Sequence, residues 1–271
     1  MSRWSDAGAW VGDGLRREVF FFRSGRVDLY GSLYAAAEPS LPIGLVACGS
    51  WGIEADRTEP LMRSVALATA RLGGAAFVFH YPGYGDSYGG LADLTLVDLG
   101  GAAADAVAEA SRRYPDLAWS LAGYMFGASV ACLALQYSAA RLLLLVQPAL
   151  RPSAYFARLT ENRRSLAPGS GLVNETIEAG TAPGMAYGYP VPRHIVEHGE
   201  EADAAVAAAL AAFPGEGAIV RHQRPVETDA GPPGFEQVEV AGAWRFGSQN
   251  NPKLAAATAE WLDRRTRVAD R

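Results

Sequence analysis

Short apolar runs bounded by turn residues alternate along this chain with longer stretches whose apolar positions recur every three to four residues. Arg17–Ser24 and Arg26–Tyr34 are rich in Val, Phe, Leu and Tyr, and Ser24-Gly25 between them predicts a hairpin. Pro42–Cys48 is a short apolar run that opens into the loop Cys48-Gly49-Ser50-Trp51-Gly52. Leu61, Val65, Leu67 and Ala68 predict a helix over Glu59–Leu72, stopped by Gly73-Gly74. Strand Ala75–Tyr81, the Gly-rich loop Pro82–Gly90, helix Leu94–Tyr114, strand Leu117–Ala122, helix Gly127–Ser138 and strand Arg141–Val146 are expected to follow. From Gln147 the pattern changes. Ala149 to Pro192 reads as irregular, with Pro168-Gly169 and Gly180-Thr181-Ala182-Pro183-Gly184, and an acidic, Ala-rich helix is predicted over Glu200–Phe213. Strands Ala218–His222 and Phe235–Val240 and a last helix, Pro252–Arg265, close the chain.

Strands alternating with helices predict right-handed crossovers and an α/β fold. The expected sheet is mostly parallel and twisted, with about eight strands, helices on both faces and the opening hairpin as an antiparallel edge. Residues 1–148 and 214–271 would form the core, and residues 149–213 a short lid insertion.

Composition narrows the function classes. With 49% hydrophobic and 20% charged residues the chain reads as an ordinary globular domain, and a net charge of −5 leaves no basic surplus for a nucleic-acid partner. Met1 to Leu15 lacks the apolar core of a secretion signal, and no later run is long enough to span a bilayer, so the expected location is the cytoplasm, with no membrane partner. The two cysteines, Cys48 and Cys132, lie far apart in apolar surroundings, without disulfide or metal-ligand spacing. No cofactor and no metal is expected, and the chain would act as a monomer or homodimer.

Leu121-Ala122-Gly123-Tyr124-Met125-Phe126-Gly127 falls between a predicted strand and a predicted helix. It resembles the G-x-S-x-G nucleophile elbow of the α/β-hydrolase fold superfamily. His80-Tyr81-Pro82-Gly83-Tyr84-Gly85-Asp86-Ser87 resembles that superfamily's Gly-rich loop after strand 4, and Cys48-Gly49-Ser50-Trp51-Gly52 stands where its oxyanion loop does. Gly188-Tyr189-Pro190 is similar to a segment of bacterial exosortase-associated hydrolases, a group like the serine aminopeptidases. The resemblance runs from Arg17 to Arg265 and implies an α/β-hydrolase fold with its site beyond the carboxyl ends of the strands.

The chemistry of the superfamily is missing. Acyl transfer there needs a hydroxyl nucleophile, a histidine to take its proton and an acid to orient the histidine. Met125 is a thioether with no proton to lose. The loop expected to carry the histidine reads Ala241-Gly242-Ala243-Trp244-Arg245-Phe246, and no histidine follows His222. The acid position reads His222-Gln223-Arg224-Pro225, with Asp229 the nearest carboxylate. Three vacancies exclude a serine-hydrolase mechanism more firmly than one would.

The resemblance still implies an oxyanion hole from the backbone N–H groups of Phe126 and of Ser50 or Trp51, able to stabilise an enolate or phenolate. Met125, Tyr124, Trp244, Tyr84 and Tyr189 are the expected substrate-binding residues. His222 is a candidate general acid or base, against the alternative of a loop histidine beside Arg221 and Arg224. Tyr187, with Tyr155 and Tyr189, could donate to a carbonyl or epoxide oxygen, or simply roof an apolar pocket. Glu54 and Asp56 are candidate bases, although carboxylates in a polar loop are usually solvated. Cys48 could replace the nucleophile, against the commoner buried strand-end residue. His194 and His198, four apart, lack an obvious third ligand, and His80 fits a packing role.

The expectation is a non-hydrolytic tailoring enzyme of bacterial specialised metabolism. Its ligand would be a small hydrophobic aromatic or polyketide-like molecule, taken through cyclisation, rearrangement or carbon–carbon bond formation, for instance by epoxide opening. The competing reading is an inactive pseudo-hydrolase that binds or scaffolds.

Overall fold

A computed structural model of the chain describes residues 7–10, 14–165, 184–224, 232–243 and 252–269. It opens with β1 (Ala7–Trp10), β2 (Leu15–Ser24) and β3 (Val27–Ala36), followed by β4 (Ile43–Cys48), α1 (Ile53–Arg71), β5 (Ala75–Phe79), α2 (Leu96–Arg113), β6 (Ala118–Tyr124), α3 (Gly127–Ala134) and β7 (Leu142–Val146). Then come α4 (Pro152–Ser165), a small hairpin of β8 (Met185–Ala186) and β9 (Tyr189–Pro190), α5 (Arg193–Glu197) and α6 (Gly199–Ala211). The chain returns through β10 (Glu216–Arg224) and β11 (Glu236–Ala243) and ends its described part in α7 (Pro252–Ala269).

Among the described residues nine strands form one sheet in the order β1-β2-β3-β5-β4-β6-β7-β10-β11. β1, β2, β3 and β5 pair antiparallel, and every pairing from β5 to β11 is parallel. The ninth strand is β1, which the polar, Gly-rich start of the sequence does not announce. Strands β4, β5, β6 and β7 are almost wholly buried, as a parallel sheet covered on both faces requires. Two apolar cores result. One holds Phe77, Leu99, Leu121, Phe126 and Leu143, on the face of α2, α3, α4 and α6. The other holds Val65, Tyr124, Leu144, Val220 and Trp261, on the face of α1 and α7.

Three boundaries differ from the sequence reading. Helix α1 begins at Ile53, six residues before Glu59, and carries Pro60 inside it. A proline is a plausible helix start because its missing N–H is no loss in the first turn, but here the burial of Ala55, Thr58, Leu61 and Met62 carries the helix through it. Helix α3 stops at Ala134, short of Ser138. The region expected to be irregular contains α4, whose Tyr155, Phe156 and Leu159 are buried in the first core. Helix α2 starts on Thr95, whose hydroxyl accepts from Asp98 N–H while Asp98 accepts from Thr95 N–H, a reciprocal cap.

Candidate functional site

β6 turns into α3 through Met125, whose φ is 52°. A left-handed backbone costs a non-glycine residue about 1–2 kcal/mol, so the turn persists only because its neighbours hold it. Met125 N–H donates to Val146 O at 3.0 Å, and Met125 O accepts from Ala128 N–H and Ala149 N–H at 3.0 Å each. The flanking glycines explain the fit. A Cβ on Gly127 would lie 2.1 Å from Cys48 O and 2.3 Å from Gly49 O, and one on Gly123 would lie 2.4 Å from Ala128 Cα. Strand, helix and the Cys48–Gly52 loop are therefore in backbone contact. Methionine stands in the geometry of a nucleophile elbow, 9% exposed.

Around the elbow four rings interlock. Phe126 stacks on Tyr155 at 5.1 Å, and Phe156 meets Phe126 and Tyr155 edge-on at 5.1 Å each. Trp51 meets Phe126 at 6.2 Å and Phe156 at 6.1 Å. The rings of Trp51 and Phe126 pack inside the first core. Tyr124 corrects the sequence reading. It follows Gly123 in a pleated strand, so it faces the opposite side of the sheet and is buried in the second core. Its hydroxyl has no hydrogen-bond partner among the described residues. Trp244 and Asp229, and the side chain of His222 on β10, lie outside the described residues.

Beside the rings sits a buried polar group that sequence reasoning undervalued. Glu54, in the first turn of α1, is 3% exposed. Ser50 Oγ donates to Glu54 Oε2 at 3.3 Å and lies 3.2 Å from Tyr155 Oη, which donates to Trp51 O at 3.4 Å. Arg158 on α4 approaches Glu54 Oε1 at 3.8 Å. Burial pushes the Glu54 carboxyl above its usual value, against the pull of Tyr155, Arg158 and Ser50. Burial and then the Glu54 charge push the Tyr155 phenol well up. Tyr187, in the β8–β9 turn with φ 53°, is half-buried; burial raises its phenol, which also feels Arg57 and Glu54. The Cys48–Gly52 loop, α4 and the start of α1 thus meet at one carboxyl, and a buried carboxyl marks a functional site more often than a surface one does.

The raised Glu54 carboxyl makes stability depend on pH. Its protonated form is favoured on folding, so its contribution is fully present below the usual 4.5 and is lost as pH rises through the raised value. Glu54→Gln keeps the shape without the charge and is expected to gain stability relative to the wild type across that interval. Urea midpoints for both proteins at a series of pH values check this; parallel curves would refute it.

Tyr84 and Tyr189 also do more than line a wall. Both phenols donate to Asp56, Tyr189 at 2.7 Å, and their rings stack at 6.0 Å. Trp51 Nε1 donates to Pro190 O at 3.0 Å. The β8–β9 hairpin is thereby clasped to the Cys48–Gly52 loop, α1 and the Gly-rich loop. Cys48 and Cys132 are free thiols, wholly buried. Burial pushes Cys48 far up and Cys132 up to about 12, which fits packing residues and not a substitute nucleophile. His194 and His198 are exposed with rings 4.5 Å apart, and no group of three metal-binding side chains occurs among the described residues. His80 packs against Tyr30 at 5.0 Å. No described helix is long and apolar enough to cross a membrane.

No family model and no curated protein sequence matches this chain. Solved structures do. Carboxyl esterase 2 from Tuber melanosporum is 17% identical with a TM-score of 0.59, over 99% of this chain and 89% of that one. An alpha-beta serine hydrolase homologue from Coxiella burnetii is 13% identical with a TM-score of 0.53, over 96% and 99%. A cold-adapted esterase from an Arctic intertidal metagenomic library is 14% identical with a TM-score of 0.55, over 97% and 99%. At such identities the likeness is one of fold: the chain has the α/β-hydrolase fold.

Proposed function

We propose that this α/β-hydrolase fold carries a non-hydrolytic enzyme acting on a small hydrophobic aromatic or polyketide-like molecule, with residues 149–213 as its lid. The observation that carries the reading is Met125 itself, held left-handed in an elbow still closed against the Cys48–Gly52 loop although its own thioether cannot be acylated. A strained backbone kept without its nucleophile points to use of the backbone, and the N–H groups of Phe126 and of Ser50 or Trp51 are suited to an enolate or phenolate oxygen. Tyr187, half-buried and within electrostatic reach of buried Glu54, is the phenol we assign to exchange a proton with that oxygen. Cyclisation, rearrangement or carbon–carbon bond formation in a tailoring pathway is the reaction class this equipment suits, and His222 is a second candidate acid or base.

A second reading, an inactive pseudo-hydrolase that binds a partner, draws support from the interlocked rings of Trp51, Phe126, Tyr155 and Phe156. A flat phenol separates the two. The enzyme reading expects saturable binding of 1-naphthol, followed by tryptophan fluorescence, with the bound phenol ionising at lower pH than in water. It expects no hydrolysis of p-nitrophenyl butyrate above the uncatalysed rate. Tyr187→Phe should weaken naphthol binding by about fivefold, the worth of one hydrogen bond. Ester turnover by the wild type would sink the non-hydrolytic assignment, and absence of saturable naphthol binding would leave the inactive reading standing.

A further inference from the structure

On the α1 face of the antiparallel part of the sheet lies a polar cavity of about 260 Å³, separate from the elbow. Its walls follow from the register. Arg17 pairs with Tyr34 across β2 and β3, Ser32 pairs with Val78 across β3 and β5, and side chains two apart share a face, so Arg17, Tyr30, Ser32, Tyr34, Val78 and His80 line one side. Glu59 and Arg63 of α1 cross the other side as an ion pair at 2.8 Å, and Asp86 enters from the Gly-rich loop.

Two charges there lack compensation. Arg17 is half-buried; its Nη2 donates to Ser32 Oγ at 3.1 Å, its Nε is buried without a partner, and no described carboxylate lies within ion-pair distance of it. Tyr34, whose ring lies 5.6 Å from the guanidinium, offers no counter-charge. Asp86, exposed on the opposite rim, likewise has no ion pair among the described residues. A partly buried guanidinium keeps only part of its hydration, so an anion at Arg17 would replace water that its buried Nε has already lost. The lining as a whole is balanced, with Arg17 and Arg63 against Glu59 and Asp86, and burial favours the neutral form of His80. A dianion such as phosphate would meet two carboxylates, and a simple cation two guanidiniums.

We propose that this cavity binds a small zwitterion of amino-acid size. Its carboxylate lies on Arg17 with the hydroxyls of Ser32 and Tyr34, and its ammonium group faces Asp86 and Glu59. The site is independent of the elbow and of any reaction there.

Each proteinogenic amino acid, with acetate, methylammonium and inorganic phosphate as controls, is titrated into the full chain by calorimetry and by the Arg17 side-chain N–H resonance. At least one amino acid is expected to saturate in the millimolar range or below, with acetate and methylammonium each about tenfold weaker. Arg17→Met and Asp86→Asn should each cost about tenfold in affinity with an unchanged circular dichroism spectrum. The proposal is overturned if no amino acid saturates by about 50 mM, where Kd would exceed any specific site of this kind. It is equally overturned if acetate or phosphate binds as well as the best amino acid, or if both substitutions leave binding intact, in which case Arg17 and Asp86 are solvated surface charges.

Discussion

Gly127→Ala is expected to abolish the native fold or leave it on the edge of unfolding. The new Cβ would sit 2.1 Å from Cys48 O and 2.3 Å from Gly49 O, and both are backbone atoms that cannot swing aside. Relief requires parting α3 from the Cys48–Gly52 loop, which leaves β4 at the end of its pairing with β6, Cys48 opposite Gly123. Overpacking a core by one methyl costs about 1–3 kcal/mol when side chains can repack, and more when only backbone can move. Against a total stability of about 5–15 kcal/mol for a domain, that is a large share. Urea denaturation of wild type and variant measures it. A variant within about 0.5 kcal/mol of the wild type, the range of neutral surface changes, would mean that elbow and loop are not in the contact described.

Phe126→Ala is expected to cost about 3–5 kcal/mol, the range for truncating a buried aromatic. Phe126 is wholly buried and touches the other three of the four interlocked rings, Trp51, Tyr155 and Phe156. The loss should come with a gain. A cavity walled by aromatic rings stays dry and accepts small apolar molecules, so benzene or indole should raise the melting temperature of the variant and not of the wild type. If benzene has no effect on the variant while the stability loss is found, the rings have collapsed into the space. If stability is unchanged, the ring cluster does not hold the Cys48–Gly52 loop to α4.

Much of the scaffold was legible because it is periodic. The buried runs of β4 to β7 and the amphipathic α2 carry their signal within a few residues of one another. The elbow was legible because Gly123 and Gly127 answer a steric need that spacing alone records. Helix α4 escaped because its apolar positions, Tyr155, Phe156 and Leu159, are few and lie among arginines, although Pro152 at its first position is a start signal. Glu54 and Tyr155 could not be joined from sequence, since 101 positions separate them (155 minus 54) and a carboxylate in a glycine-flanked loop is ordinarily wet. Tyr124 was misplaced because the strand runs two residues further than its apolar core suggested, through Tyr124 itself. The clasp on Asp56 was equally hidden, because it unites three segments with no shared pattern.

The two buried thiols give the molecule its own clock. Cys48 ends β4 and Cys132 lies within α3, so a disulfide reagent in solution reaches neither while the elbow region stays closed. Modification must wait for an opening, and its rate at low reagent concentration reports how often that region breathes. Mass spectrometry of the labelled chain would tell whether Cys48 and Cys132 react together, as in a global event, or whether Cys48 reacts first because α4 and the Cys48–Gly52 loop part from a sheet that remains intact.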